Sequence, residues 1–313
     1  MNVTGNTTAF IESEQYSAFI LRNMHDGLLP SNFYRDVGDF GSGETLNIKT
    51  IGSATLQEVE EDVPLNYSPI DTGNVTMAIT DYVGSAWYIS DKLREDGNQI
   101  EQVQAEHQAE ATRAVQENFE TRFLSVCNSA QTDANANLVN GFAHRIASQE
   151  TGDVISLQHF IDMKLAFDKA QVPYGSRIAI VDPVCAATLD GLVNIQSDVT
   201  PFAEKILSSG FDRDHEFLMN LYGWNIITSN RLAKGAFDDG TTQGITDGVA
   251  NVFMSCMDDN TMPIMGAWRR MPRVEGERNK DRRRDEFVNT ARFGFGAQRN
   301  DTLGIVITSA TAS

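Results

Sequence analysis

Cysteine is scarce in this chain: Cys127, Cys185 and Cys256 are the only three in 313 residues, and they lie far apart. An odd number with no Cys-x-x-Cys pair excludes a disulfide framework and a cysteine-built metal site, and it fits a reducing compartment. Histidine is almost as sparse. His25, His107, His144, His159 and His215 never fall in a His-Glu-x-x-His pattern, so that zinc-hydrolase arrangement is excluded. No run approaches the roughly 20 apolar residues that span a bilayer, which argues against a helical membrane anchor. The opening MNVTGNTTAFIESEQ has neither the basic nor the apolar region of an export leader. The glycosylation-type tripeptides at Asn2, Asn6, Asn66, Asn74 and Asn300 therefore carry little weight.

Reaction chemistry is equally thin. Ser125, Ser156 and Ser229 lack a Gly-x-Ser-x-Gly elbow, and Gly235, Gly240, Gly244 and Gly248 match no phosphate loop. Asp133 to Asn137 opens like a calcium loop, but Leu138 stands where the sharp turn needs Gly and His144 where a bidentate Glu belongs. Asp212-Arg213-Asp214-His215-Glu216 reads as a solvated acidic loop. No catalytic residue, cofactor or metal is expected.

What is abundant is charge, and it is segregated. The 43 acidic and 25 basic residues leave a net charge of −18, which disfavours a surface that sits mainly on nucleic acid or anionic lipid. Yet the stretch Arg269–Arg284 holds eight Arg or Lys against three Glu or Asp. Asp281, Asp285 and Glu286 interrupt it and no aromatic interleaves its arginines, so an acidic partner surface or a salt-bridged face fits it better than nucleic acid. The chain carries such an acidic surface itself in Glu58, Glu60, Glu61 and Asp62.

The order of segments is unusual for an enzyme. An N-terminal arm (1–40) with a short amphipathic stretch at Tyr16, Phe19, Ile20 and Leu21 precedes an extended hairpin (41–90). In that hairpin the strand-like pieces Thr45–Ile51, Val75–Thr80 and Ala86–Ile89 flank the acidic loop. A Gly- and Pro-free helix over about 98–128 follows, with a clear apolar stripe only from Val115 through Phe119, Phe123 and Val126. Residues 131–150 read as a loop or strand connection within a 91–154 segment. Residues 155–260 read as an α/β domain: Ser156 caps a helix burying Leu157, Phe160, Ile161 and Leu165, RIAIVD is a strand, Pro183 opens a second helix, and WNIITS and ANVFMSCM flank a Gly/Asp loop. Residues 261–313 hold the basic hairpin, then FVNTARFGFGAQ and LGIVITSA as antiparallel strands.

In this order, the segments Gly43–Ile48, Val172–Pro183, Gly223–Leu232 and Ala291–Gly296 resemble the major capsid proteins of tailed bacteriophages, whose shell fold is named after Hong Kong phage 97. The resemblance implies an α+β fold with an N-terminal arm, an extended loop, a spine helix in a peripheral domain and an α/β axial domain. It implies a structural protein that self-assembles through hexamers and pentamers into an icosahedral virion head around double-stranded DNA, in the host cytoplasm. A scaffolding protein, a portal protein and a decoration protein are the implied partners, with no membrane. Only about forty residues precede the extended loop, so scaffolding is expected from a separate chain rather than a cleaved N-terminal segment. Lys49, at the base of the arm, is expected to face solvent rather than to crosslink.

The implied loop lies across the peripheral domain of an adjacent subunit, which would satisfy its strand edges between chains. From charge we expect Glu58, Glu60, Glu61 and Asp62 of one subunit to approach Arg269, Arg270, Arg273, Arg278, Arg282, Arg283 or Arg284 of another. The other readings are an encapsulin-like nanocompartment shell of the same fold, a tail or portal component, or a cytosolic α/β enzyme using Asp212, Asp214 and His215.

Overall fold

The computed structural model describes residues 27–29, 33–38, 43, 45–52, 56–59, 61, 64, 67, 69–97, 100–131, 138–196, 217–240 and 244–311. In chain order its elements are β1 (Arg35–Asp36), β2 (Thr45–Ile51), β3 (Thr72–Ala78), β4 (Asp81–Ser90), α1 (Asp91–Asp96), α2 (Ile100–Ala130), β5 (Leu138–Val139), β6 (Phe142–Ala143) and β7 (Arg145–Ala147). Then come α3 (Leu157–Lys169), β8 (Arg177–Val181), α4 (Pro183–Gln196), β9 (Phe217–Leu221), β10 (Trp224–Thr228), β11 (Lys234–Asp238), β12 (Gly244–Ser255), β13 (Ile264–Asn279), β14 (Arg284–Ala297) and β15 (Leu303–Ser309).

Two sheets share one helix. The first has the order β1-β13-β14-β4, and α2 lies along it. With 31 residues α2 is about 46 Å long at 1.5 Å per residue. Its first three turns bury nothing and leave Val103 half exposed; burial begins at Ala111 and continues through Val115, Phe123, Leu124 and Cys127. Phe119 stacks on Trp268 at 4.3 Å and meets Phe293, Phe295 and Tyr34 edge-on or tilted, which fastens α2 to β13 and β14. Gly294 lies where a Cβ would come within 2.4 Å of the Ala78 carbonyl, so only Gly lets the turn between β3 and β4 pass there. Where β13 slips register on β14, Pro272 occupies the irregular segment, a position at which no ladder donor is required.

The second sheet runs β7-β15-β12-β8-β10-β9, with β11 on β12. All five residues of β8 and all seven of β15 are buried, the continuous apolar pattern of strands covered on both faces. Trp224 is fully buried with Phe167 and Phe253 each edge-on at 5.0 Å, and its indole N–H donates to the Phe160 carbonyl at 3.3 Å. Leu124 and Cys127 of α2 join this main core, so the helix belongs to both layers.

Several expectations change. In α3 the buried stripe is Phe160, Met163, Ala166 and Phe167, while Ile161 and Leu165 are 39% and 42% exposed. The 3.6-residue period turns Ile161 and Leu165 about 100° or more away from Phe160. The Gly/Asp loop is largely a hairpin of β11 and β12, with Gly240 at φ +76° in its turn. The 131–150 connection contains the β5–β6 hairpin, whose turn Asn140-Gly141 has both φ angles positive. β14 and β15 do not pair with each other: β14 lies between β13 and β4, whereas β15 lies between β12 and β7. Residues 261–313 thus contribute strands to both layers, whereas 91–154 gives the helix α2 to the first sheet and the strand β7 to the second. The third strand of the extended hairpin is also reassigned, because Ala86–Ile89 is part of β4 in the first sheet.

Candidate assembly surfaces

β2 and β3 form a two-stranded ribbon, paired from Thr45↔Ala78 to Ile51↔Thr72. At the end of β2 and between the two strands, Leu56 is fully exposed, Tyr67 is 94% exposed, and Ile51, Val59 and Ile70 are also largely bare. Val59 lies outside any strand. Glu58 and Glu61 are exposed beside these apolar residues, while Glu60 and Asp62 lie outside the described residues.

The basic hairpin is β13 and β14, and its arginines divide into two groups. Arg278 makes a fork with Asp91 at 2.8 and 3.0 Å and also reaches Asp285 at 3.2 Å; Arg94 meets Asp285 from the other side at 2.6 Å. The Arg278 guanidinium holds the Asp91 carboxyl below its ordinary range, and Asp91 in return raises Arg278. Asp91 sits in the first turn of α1, where Ser90 caps the Leu93 N–H at 3.3 Å and acid is favoured. Arg284 pairs with Glu286 at 2.6 Å and lies 4.3 Å over the Tyr88 ring, while Arg270 pairs with Glu275 at 2.5 Å. These three arginines spend their charge within the chain.

Arg273 is exposed, and its Nε lies 3.8 Å from Glu275. Arg282 and Arg283 are exposed in the hairpin turn, Arg283 at φ 49°, and Arg269 is exposed on β13. The structure brings the arginine candidates together on one hairpin, while Glu58 and Glu61 lie in the segment between β2 and β3. Tyr82 and Tyr88, exposed on the face of β4 turned away from α2, were not singled out by sequence; the alternation along β4 was their only signal.

Asp212, Asp214 and His215 lie outside the described residues. Among the described residues no cluster of three or more His, Cys, Asp or Glu is placed to hold a metal ion. Burial pushes the Cys256 thiol up to about 12 and raises Cys127 and Cys185 as well, so all three stay protonated at neutral pH. No described helix is long and apolar enough to cross a membrane.

The phage capsid protein family model matches residues 74–308, from inside β3 almost to the end of β15. The chain belongs to this family. This capsid protein shares its fold with the capsid of cyanophage P-SCSP1u, at TM-score 0.73 and 15% identity over 96% of this chain and 93% of that one. The mature capsid of bacteriophage PhiM1 superposes at TM-score 0.71 and 12% identity, covering 99% and 96% of the two chains. The cyanophage Pam1 capsid does so at 0.68 and 13%, covering both chains completely. Among curated proteins none matches this capsid protein.

Proposed function

We propose that this chain is the major shell subunit of a tailed-phage head, assembling through hexamers and pentamers around double-stranded DNA that it holds without sequence specificity. In this reading the first sheet with α2 is the peripheral domain and its spine, the second sheet with α3 and α4 is the axial domain, and the β2–β3 ribbon is the extended loop. A separate scaffolding protein, a portal and a decoration protein complete the head. The observation that carries the proposal is the ribbon's bare apolar end. Leu56, Val59 and Tyr67 form no core in their own chain, and a two-stranded ribbon is marginal alone in water. A neighbouring copy gives that end a surface.

The geometry narrows the charge pairing. Arg270, Arg278 and Arg284 have close partners at home, so Arg282 and Arg283 in the hairpin turn, with Arg273 at the longer 3.8 Å from Glu275, are the better matches for Glu58, Glu60, Glu61 and Asp62 of a neighbour. Exposed pairs contribute only about 0–1 kcal/mol each, so repetition around the shell supplies the effect. Reversing Glu60 and Glu61 to Lys is expected to lower shell yield, and adding Arg282→Glu and Arg283→Glu to restore part of it. Unchanged yield in the first variant would remove the charge pairing; unchanged yield for Leu56→Asp with Val59→Asp would remove the loop contact.

A further inference from the structure

Three stretches distant in sequence meet at one carboxylate. Glu120, on α2 and 6% exposed, accepts from the Ser229 hydroxyl through Oε1 at 2.9 Å and from the Leu29 backbone N–H through Oε2 at 3.2 Å. Arg231 brings Nη1 to 3.5 Å from that Oε2 and donates to the Gly27 carbonyl at 3.3 Å. Its Nη2 lies 3.1 Å from Glu117 Oε1, one turn earlier on the helix. Ser229 is tied to the second sheet, because its backbone N–H donates to the Val181 carbonyl at 3.0 Å.

Each partner represents a different body. Glu117 and Glu120 flank Phe119, which fixes α2 to the aromatic residues of the first sheet. Ser229 and Arg231 follow β10 of the second sheet. Gly27 and Leu29 lead into β1 from the N-terminal arm. We infer that this cluster is a clasp that couples the course of the N-terminal arm to the angle between the two sheets.

The physical reason is shared partners. A rotation of the second sheet against α2 draws Ser229 and Arg231 away from Glu120. Arg231 also holds Gly27 and Glu120 also holds Leu29, so the arm must follow or the clasp must open. Opening is opposed because Glu120 would remain a buried carboxylate stripped of its guanidinium and both neutral donors. That penalty favours the closed clasp over every opened position. All partners belong to one chain, so the clasp stands apart from the contact between subunits proposed above.

The test is hydrogen exchange by mass spectrometry on the full-length protein, together with the distance distribution between spin labels at Tyr82→Cys on the first sheet and Leu165→Cys on α3. Both positions are exposed, and the native cysteines are buried or half-buried. Glu120→Gln is expected to raise exchange over 27–34 by about ten-fold or more, leave β8, β12 and β15 protected, and broaden the label distribution. Ser229→Ala removes one hydrogen bond and should give the same pattern at smaller amplitude even if Glu120→Gln fails to fold. Unchanged exchange over 27–34 overturns the clasp, as does a rise spread evenly over both sheets. An unchanged label distribution overturns the coupling.

Discussion

His144 and His159 are both buried histidines of the layer that holds the main core. His144 is fully buried and lies 5.6 Å from the Phe167 ring, with Nδ1 3.3 Å from the Phe142 carbonyl; His159 is buried where Ser156 donates its backbone N–H to Nδ1 at 3.0 Å. Burial lowers both from the ordinary value of 6.5. Because the unfolded chain takes up these protons first, the stability tied to neutral imidazoles is complete above about 6.5 and is lost as pH falls through the lower folded values. The denaturation midpoint of the wild type should therefore drop between pH 7.5 and 5.5, and the drop should shrink in a His144→Asn, His159→Asn variant. An equal drop in both proteins would assign the effect elsewhere. Neither role was legible in the sequence, where each histidine was weighed only as a ligand. Capping by His159 depends on its ring reaching back to Ser156, and burial of His144 depends on strands distant in sequence.

Among the elements, α2 was the most legible, since an uninterrupted run of helix formers needs no distant partner to be recognised. The expected 98–128 became Ile100–Ala130. The expected contrast between its bare early turns and its apolar later turns also appears, and it has an energetic consequence. Phe119→Ala should destabilise the isolated subunit by about 3–5 kcal/mol, since it opens the aromatic cluster with Trp268, Phe293 and Phe295. Val103→Ser should change subunit stability by less than about 0.5 kcal/mol. If a neighbour covers the early turns, that same variant should lower shell yield. Chemical denaturation and assembly yield check the pair, and a large stability loss at Val103 would contradict the division of the helix. Strand pairing was less legible, because β15 and β14 look alike in sequence and only long-range register sends one to each sheet. The strands of the β11–β12 hairpin around Gly240 were likewise hidden, because composition marks the turn but not how far the strands beside it run.

At the scale of the molecule, two layers joined along one helix leave a bare ribbon, an exposed face on β4 and a hairpin whose charges are only partly spent. The chain order of these parts was readable because each has its own local pattern. The basic hairpin was readable too, but sequence counted every arginine in the stretch alike, whereas folding brings Asp91 against Arg278 from 187 residues away. The most direct test of the shell-subunit account is electron microscopy with sedimentation on the full-length protein, expressed with and without its neighbouring phage genes. Closed icosahedral shells containing DNA, or hexameric and pentameric rings on the way to them, are the predicted result. A compact monomer or dimer under both conditions would contradict it.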